Sequence, residues 1–283
     1  MKQIDDEIQY MLDNDLIEPS QSEWATPSML VPKPDATNRF VNDFRRVNAV
    51  TKSDPFPIPR VDSCIEKVGN SRYITKLDLL KGYWQVGLTE RAKEISAFVT
   101  PRGLYQYKVM PFGMKNSGST FQRMINRVIY GLEGCDGYVD DLINYHPTWE
   151  EHMCGLRKLF ERLRDANLTV NLVKSDFGKA KVQYLGHIVG QGSVYPVSAE
   201  IDAIVDFPTA EGKKGIQRFL GMAGYYRRYC RNFSKVVSPL SDLLKKDAKF
   251  KWTDECEQAF CAIKKMLSSY PVLVMPQFDK QFK

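Results

Sequence analysis

The chain has 283 residues, with 40 Lys plus Arg against 34 Asp plus Glu and a formal net charge of +6. With 43% apolar and 26% charged residues it is composed like a globular protein able to bury a sizeable core, which excludes a disordered chain. No apolar run approaches the ~20 residues of a membrane span, and the first residues lack the basic-then-apolar order of a signal peptide.

At the N-terminus Ile4, Ile8, Met11 and Leu12 recur at helical spacing, ending near Asn14-Asp15. Residues 19–44 read as extended, with proline-broken strands around a turn at 34–38. The run Asp54-Pro55-Phe56-Pro57-Ile58-Pro59 excludes regular structure and leads into a short helix near Val61–Val68. Tyr73–Asp78 alternates as a strand, and Ser96 to Met110 is strand-rich. From Asn116 or Ser117, either of which suits an N-cap, the pattern is helical, with Phe121, Met124, Ile125, Val128 and Ile129 on one stripe.

Tyr138–Tyr145 reads as a hairpin centred on Asp140-Asp141. A capping box, Thr148-x-x-Glu151, then opens a helix carrying Met153, Leu156, Phe160 and Leu163. Short strands are expected at Thr169–Leu172 and Val182–Val189. After Gly192 the chain is expected to be mostly helical, through Ser198–Asp206 and Gly215–Arg231. The last thirty residues are expected to begin another unit and to reach its first strand.

The six cysteines form no C-x-x-C pair, and the three histidines are not at metal-ligand spacings to them. Scattered reduced thiols are expected, and no zinc site. The charge is unevenly placed: Glu211–Trp252 holds eleven Lys/Arg and three acids, a local +8, which leaves −2 on the remaining residues. This segment fits either a phosphate-tracking element or a solvated helical face. Tyr225, Tyr226 and Tyr229 interleave with its arginines, as stacking partners for sugars or bases or as core aromatics.

Three carboxylates stand out. Asp78 ends a strand, and Asp140 and Asp141 follow Tyr138-Val139 in an apolar hairpin. Two acids on a hairpin and a third on a neighbouring strand offer hard oxygen ligands for Mg²⁺. The bland alternative is a polar turn.

Around these residues the sequence resembles the reverse transcriptases of gypsy-type LTR retrotransposons and, more distantly, of retroviruses. The matching blocks include Leu16–Ser20, Trp24-Ala25-Thr26-Pro27, Leu77-Asp78-Leu79, Gly82-Tyr83-Trp84-Gln85, Ala97–Pro101, Met110-Pro111-Phe112-Gly113 and Thr120-Phe121-Gln122. They continue with Tyr138–Asp141, Tyr184-Leu185-Gly186-His187, Phe219–Met222 and Tyr225-Tyr226-Arg227-Arg228.

The resemblance implies an α+β right-hand polymerase with fingers, palm and thumb, its antiparallel palm sheet carrying the catalytic hairpin. Fingers are expected at about 1–53 and 86–116, palm at about 54–85 and 117–191, and a helical thumb at 192–250. Residues 251–283 would start a ribonuclease H-like domain, without its activity. Asp78, Asp140 and Asp141, with the Leu79 carbonyl, would hold two Mg²⁺ ions, Mn²⁺ being an alternative. Lys33, Arg39, Tyr83, Phe112 and Gly113 would bind the dNTP, Tyr83 by crowding a 2′-hydroxyl. Tyr138, Val139, Leu185, Gly186, His187, Lys213, Lys214, Arg218, Arg227 and Arg228 would contact primer and template. The implied partners are an RNA template with a DNA primer, or an RNA–DNA hybrid, and dNTPs, with no membrane. The implied location is the cytoplasm, in a virus-like particle, and the nucleus.

Some positions depart from the family pattern. Pro32, Pro34 and Ala36 alter the loop around Lys33, and Gly118 replaces a proline. Asp136-Gly137 place a charge and a glycine in the strand before the hairpin, where they are expected to weaken it. Asn144-Tyr145-His146 is more polar than usual. An active polymerase and a silent nucleic-acid-binding remnant are both compatible with such drift.

Overall fold

The computed structural model describes residues 2–32, 38–230, 232–246, 248–268 and 273–274. In chain order come α1 (Lys2–Asp13), β1 (Ile17–Pro19), β2 (Thr26–Pro32), β3 (Asn38–Asn42), α2 (Arg45–Val50), α3 (Val61–Gly69) and β4 (Tyr73–Leu79). A 3-10 turn (Gly82–Gln85) leads to α4 (Glu90–Ile95), β5 (Phe98–Thr100), β6 (Gly103–Tyr107), α5 (Ser117–Val128), β7 (Cys135–Tyr138) and β8 (Asp141–His146). Next are α6 (Trp149–Asp165), β9 (Val170–Lys179), β10 (Val182–Tyr184), β11 (His187–Gly190), β12 (Ser193–Pro196) and α7 (Ser198–Val205). The chain ends through α8 (Lys213–Tyr225), a 3-10 turn (Arg227–Tyr229), α9 (Phe233–Asp242), α10 (Asp254–Ser268) and β13 (Leu273–Val274).

These elements form two compact units: Met1–Arg60 with Thr75–Asn144 and Met153–Asp176, and Val61–Ile74 with Tyr145–His152 and Phe177–Lys283. In the first, a five-stranded sheet runs β1-β6-β5-β2-β3, with only the β2–β5 pair parallel. The helical stripe read in α1 buries Ile8 and Met11 against Ile17, Phe44, Phe98 and Tyr107.

A second core lies under the four-stranded sheet β7-β8-β4-β9. Strand alternation turns Leu77 and Leu79 of β4 inward, where they meet Phe121 and Ile125 of α5, Leu142 of β8 and Leu159 and Leu163 of α6. Asp78, between the two leucines, therefore faces away from this core. Phe121 is fully buried; truncating such a ring to alanine costs about 3–5 kcal/mol and would loosen the support of the carboxylate strands.

In the second unit β10-β11-β12-β13 form an antiparallel sheet against which α3 packs, while α10 packs on α7 and α9. Phe219 and Phe260 meet at 4.4 Å between ring centroids. Residues 254–268 thus belong to the same helical packing as α7 and α9. Leu273–Val274, expected as the open strand of an interrupted unit, pairs with Val194–Ser193 of β12; Val272 lies outside the described residues. The six cysteines are free thiols.

The structure differs from the sequence reading in several elements. Ser193–Pro196 is a strand rather than helix, because Gly190, Gln191 and Gly192 all take positive φ and fold the chain back onto β11. The short helices α2 and α4 were not anticipated, although Thr89 caps α4 through the Ala92 N–H. β9 runs ten residues rather than four, with Val173 projecting almost fully into solvent. The Thr148 cap on α6 forms as expected, its hydroxyl accepting from the Glu151 N–H at 3.3 Å.

Candidate active site

The hairpin turn is one residue earlier than expected. Tyr138 pairs with Asp141 and Gly137 with Leu142, so Val139 and Asp140 form the two-residue turn and Asp141 opens β8. Val139 adopts φ 53°, a left-handed conformation costly for a β-branched residue. Gln122 of α5 supports it. This side chain is fully buried; its Oε1 accepts from the Val139 N–H at 2.8 Å and its Nε2 donates to the Gly137 carbonyl and to Asn126 Oδ1, each at 2.9 Å. One amide thus satisfies backbone groups on both sides of Tyr138.

Gly137 does not weaken the strand, contrary to the sequence expectation. A Cβ there would meet Ile125 Cγ2 at 2.4 Å and Leu142 Cδ2 at 3.0 Å, so glycine is what allows β7 to lie flush on α5. Close packing also explains the glycine before Tyr83: a Cβ on Gly82 would come within 3.2 Å of Asp140 Cβ and 3.3 Å of Phe121.

The three carboxylates come together in the first unit. The Leu79 N–H donates to the Asp140 carbonyl at 3.1 Å, tying the end of β4 to the turn, and the Asp78 N–H donates to Ser175 Oγ at 3.2 Å. Burial raises the pKa of Asp141 above the usual carboxylate value; Lys76 opposes the rise, and the charges of Asp140 and Asp78 add to it. Asp78 and Asp140 beside Asp141, with one lysine in partial compensation, form a negative field suited to a cation.

Among the described residues no three acid, His or Cys side chains close into a metal cage. A divalent cation held by one or two carboxylates, with waters and substrate phosphates completing its shell, needs no such cage. The all-oxygen donor set (Asp78, Asp140, Asp141 and the Leu79 carbonyl) fits a hard divalent ion.

Next to the carboxylates lies an aromatic group. Tyr83 packs against Phe112 at 5.1 Å and Phe121 at 5.4 Å, and its phenol pKa is raised by burial and then by the charge of Asp140. The Arg39 guanidinium lies 5.8 Å from the Phe112 ring centre. Arg39, Phe112 and Gly113 line one cavity of 490 Å³. Lys81, not singled out in the sequence, lines it too. Lys33, Pro34 and Ala36 fall outside the described residues.

The expected primer and template residues divide between the units, with Tyr138 and Val139 in the first and the others in the second. Leu185 and Gly186 form the β10–β11 turn with φ 47° and 73°. The Tyr225 hydroxyl donates to the Leu185 carbonyl at 2.7 Å, and the Tyr226 hydroxyl bonds the Gly186 carbonyl at 3.2 Å and the Glu200 carboxylate.

His187 requires a correction. It is 2% exposed, enclosed by the rings of Tyr225, Tyr226 and Tyr229 at 5.4–5.8 Å, with Nδ1 2.8 Å from the Leu185 carbonyl. Burial lowers its pKa, so the ring is neutral and braces the turn instead of facing outward. Tyr226 and Tyr229 are likewise core aromatics, whereas Tyr225 is partly exposed. Arg228 is also engaged, pairing with Asp62 at 2.8 Å, and Lys213 Nζ donates to the Lys245 carbonyl at 2.7 Å. Lys214, Arg218 and Arg227 remain exposed.

A paired-aspartate hairpin beside a strand-end aspartate, on an antiparallel sheet backed by helices, defines the α+β polymerase fold. The structure superposes on a foamy viral protease-reverse transcriptase in complex with dsDNA with TM-score 0.87 and 26% identity, over 98% of this chain and 58% of that one. The same viral protein in complex with an RNA/DNA hybrid gives 0.85 and 26%, over 95% and 37%. Residues 31–189 match the family "Reverse transcriptase (RNA-dependent DNA polymerase)", and the chain belongs to that family. It is 36% identical to the retrovirus-related Pol polyprotein from transposon 297 of Drosophila melanogaster over 99% of its length, and 32% identical to that from transposon 412 of the same organism over all of it. The chain spans 27% and 23% of those relatives.

Proposed function

We propose that the chain is the polymerase portion of an LTR-retrotransposon Pol polyprotein, extending a primer with dNTPs on an RNA or DNA template. The observation that carries this is the junction of Asp78, Asp140 and Asp141 at a hairpin whose turn is clamped by Gln122. The Mg²⁺ ions this donor set fits would supply charge neutralisation for the triphosphate and a lowered pKa for the primer hydroxyl. Asp78 and Asp140 would hold the ions, with Asp141 and the Leu79 carbonyl as further oxygen donors. Tyr83, wedged between Phe112 and Phe121, presents a fixed ring edge against which a ribose 2′-hydroxyl would be crowded.

The primer strand is met by the 185–186 backbone, whose carbonyls the Tyr225 and Tyr226 hydroxyls hold. Lys214, Arg218 and Arg227 supply charge for the duplex backbone, making binding steeply salt-dependent. The viral neighbours solved with dsDNA and RNA/DNA hybrid support these partners. Fingers are proposed at about 1–53 and 86–116, palm at about 54–85 and 117–191 and thumb from about 192, with α10 joining α7 and α9 rather than opening a separate unit at 251. Swapping Tyr83→Val tests the sugar gate: rNTP incorporation should rise relative to dNTP, and an unchanged ratio removes Tyr83 from that role.

A further inference from the structure

We propose that Lys81 is a phosphate-binding residue for the incoming nucleoside triphosphate, its ammonium held at the cavity wall by Tyr10 and Trp84. This rests on the polymerase reading above and adds to its triphosphate site a residue from the palm side and a supporting helix, α1.

Lys81 holds φ 50° and ψ 38°, a left-handed conformation uncommon for a lysine, at the start of the 3-10 turn carrying Tyr83. Such strain persists where surrounding structure fixes it, and here the fixing groups are visible. Lys81 Nζ lies 4.2 Å from the Tyr10 ring centre and 4.6 Å from that of Trp84, and it donates to the Tyr10 hydroxyl. No carboxylate among the described residues pairs with it. Two aromatic faces thus orient the charge without neutralising it.

The cavity beside it has the volume and lining for a polyphosphate. Its 490 Å³ are bordered by Arg39 and Lys81 as cations, Glu7 as the sole acid among the lining residues, and the Phe112 ring. The Trp84 indole N–H, in the same wall, is a buried donor without a protein acceptor. Arg39 from β3 and Lys81 from the segment after β4 line the same cavity and can meet different oxygens of one triphosphate. A compact ammonium suits the terminal phosphates as a point charge, and the guanidinium can bind bidentately.

The test uses the full chain without primer, following quenching of Trp84 emission by dATP and by inorganic tripolyphosphate, with Trp84→Phe to assign the signal. Primer extension and duplex binding are measured alongside. Lys81→Met is expected to weaken both ligands and raise the dNTP KM by about tenfold, the scale of one charge-assisted hydrogen bond, leaving duplex affinity within twofold. Lys81→Arg should recover most of the loss. Tyr10→Leu, which keeps the lysine but removes a support, should weaken tripolyphosphate severalfold and keeps the test informative should Lys81→Met fail to fold.

Unchanged tripolyphosphate affinity in folded Lys81→Met overturns the inference. So does a loss confined to duplex binding, which would assign the ammonium to a strand phosphate. A wild type that binds tripolyphosphate through Lys81 yet extends no primer would uphold the phosphate site and refute the polymerase reading.

Discussion

Replacing Gln122 with leucine removes a side chain that joins α5 to the backbone on both sides of Tyr138, at the entry to the Val139-Asp140 turn. The loss leaves the Gly137 carbonyl and the Val139 N–H without their partners at 2.9 and 2.8 Å, beneath a residue that is fully buried. Each buried polar group left unpaired costs about 1–3 kcal/mol, so the pair predicts a destabilisation of roughly 2–6 kcal/mol. For a chain of this size that lowers Tm by roughly 3–10 °C. The larger consequence is local: Val139 holds φ 53° against its own preference, and without the bridge the turn relaxes and Asp140 moves. A shift on the order of 1 Å at reacting groups costs about a hundredfold in rate. Single-turnover primer extension below the lowered Tm should therefore show kcat down about a hundredfold, with duplex affinity within twofold. Gln122→Glu separates positioning from packing, since a protonated carboxyl can donate to Gly137 and accept from Val139 whereas a carboxylate can only accept. Its activity relative to wild type should rise as pH falls. Wild-type kcat and Tm in the leucine variant would refute the reasoning.

Gly137→Ala should lose about 1–3 kcal/mol and its activity with it, from the 2.4 Å approach to Ile125, while Gly118→Ala, whose Cβ would meet nothing closer than 3.6 Å, should be neutral; thermal melts of both decide this. Asp141 carries a pKa raised from 3.8, so between 3.8 and that higher value the folded chain binds a proton the unfolded chain has released, and stability falls as pH rises through the window. Asp141→Asn should accordingly melt higher than wild type at pH 7 while extending primer poorly, and an equal or lower Tm contradicts the burial argument. Tyr226→Phe, which deprives the Gly186 carbonyl and Glu200 of a hydroxyl, should shorten extension products at equal primer ends without changing single-nucleotide kcat; unaltered product lengths would dissociate this tyrosine from primer retention.

Much of the site could be read from local pattern. Alternation of Leu77 and Leu79 around Asp78, the Tyr138–Asp141 box and the α5 stripe of Phe121 and Ile125 each follow from spacing within a few residues, and the structure builds them as strand, hairpin and helix. What escaped depends on distant partners. Gln122 lies 15 and 17 residues from the backbone groups it bonds; the Thr120-Phe121-Gln122 block marks it in the sequence but assigns it no role. Gly137 resembled a weak point because a glycine in a strand is unfavourable by propensity; only the approach of Ile125 makes it necessary. His187 sat in a motif that suggested contact, yet three tyrosines some forty residues downstream bury it. α2 and α4 have six residues each, less than two helical turns, too short for periodicity to appear. Lys81 is not singled out by the sequence; its left-handed backbone and flanking rings are tertiary facts.

Primer extension on poly(rA)·oligo(dT) with Mg²⁺, wild type beside Asp140→Asn, tests the central claim most directly. Extension by wild type and none by the variant, with equal duplex binding, is the predicted result. Folded wild-type protein that binds the duplex and adds no nucleotide would contradict it and leave a nucleic-acid-binding remnant.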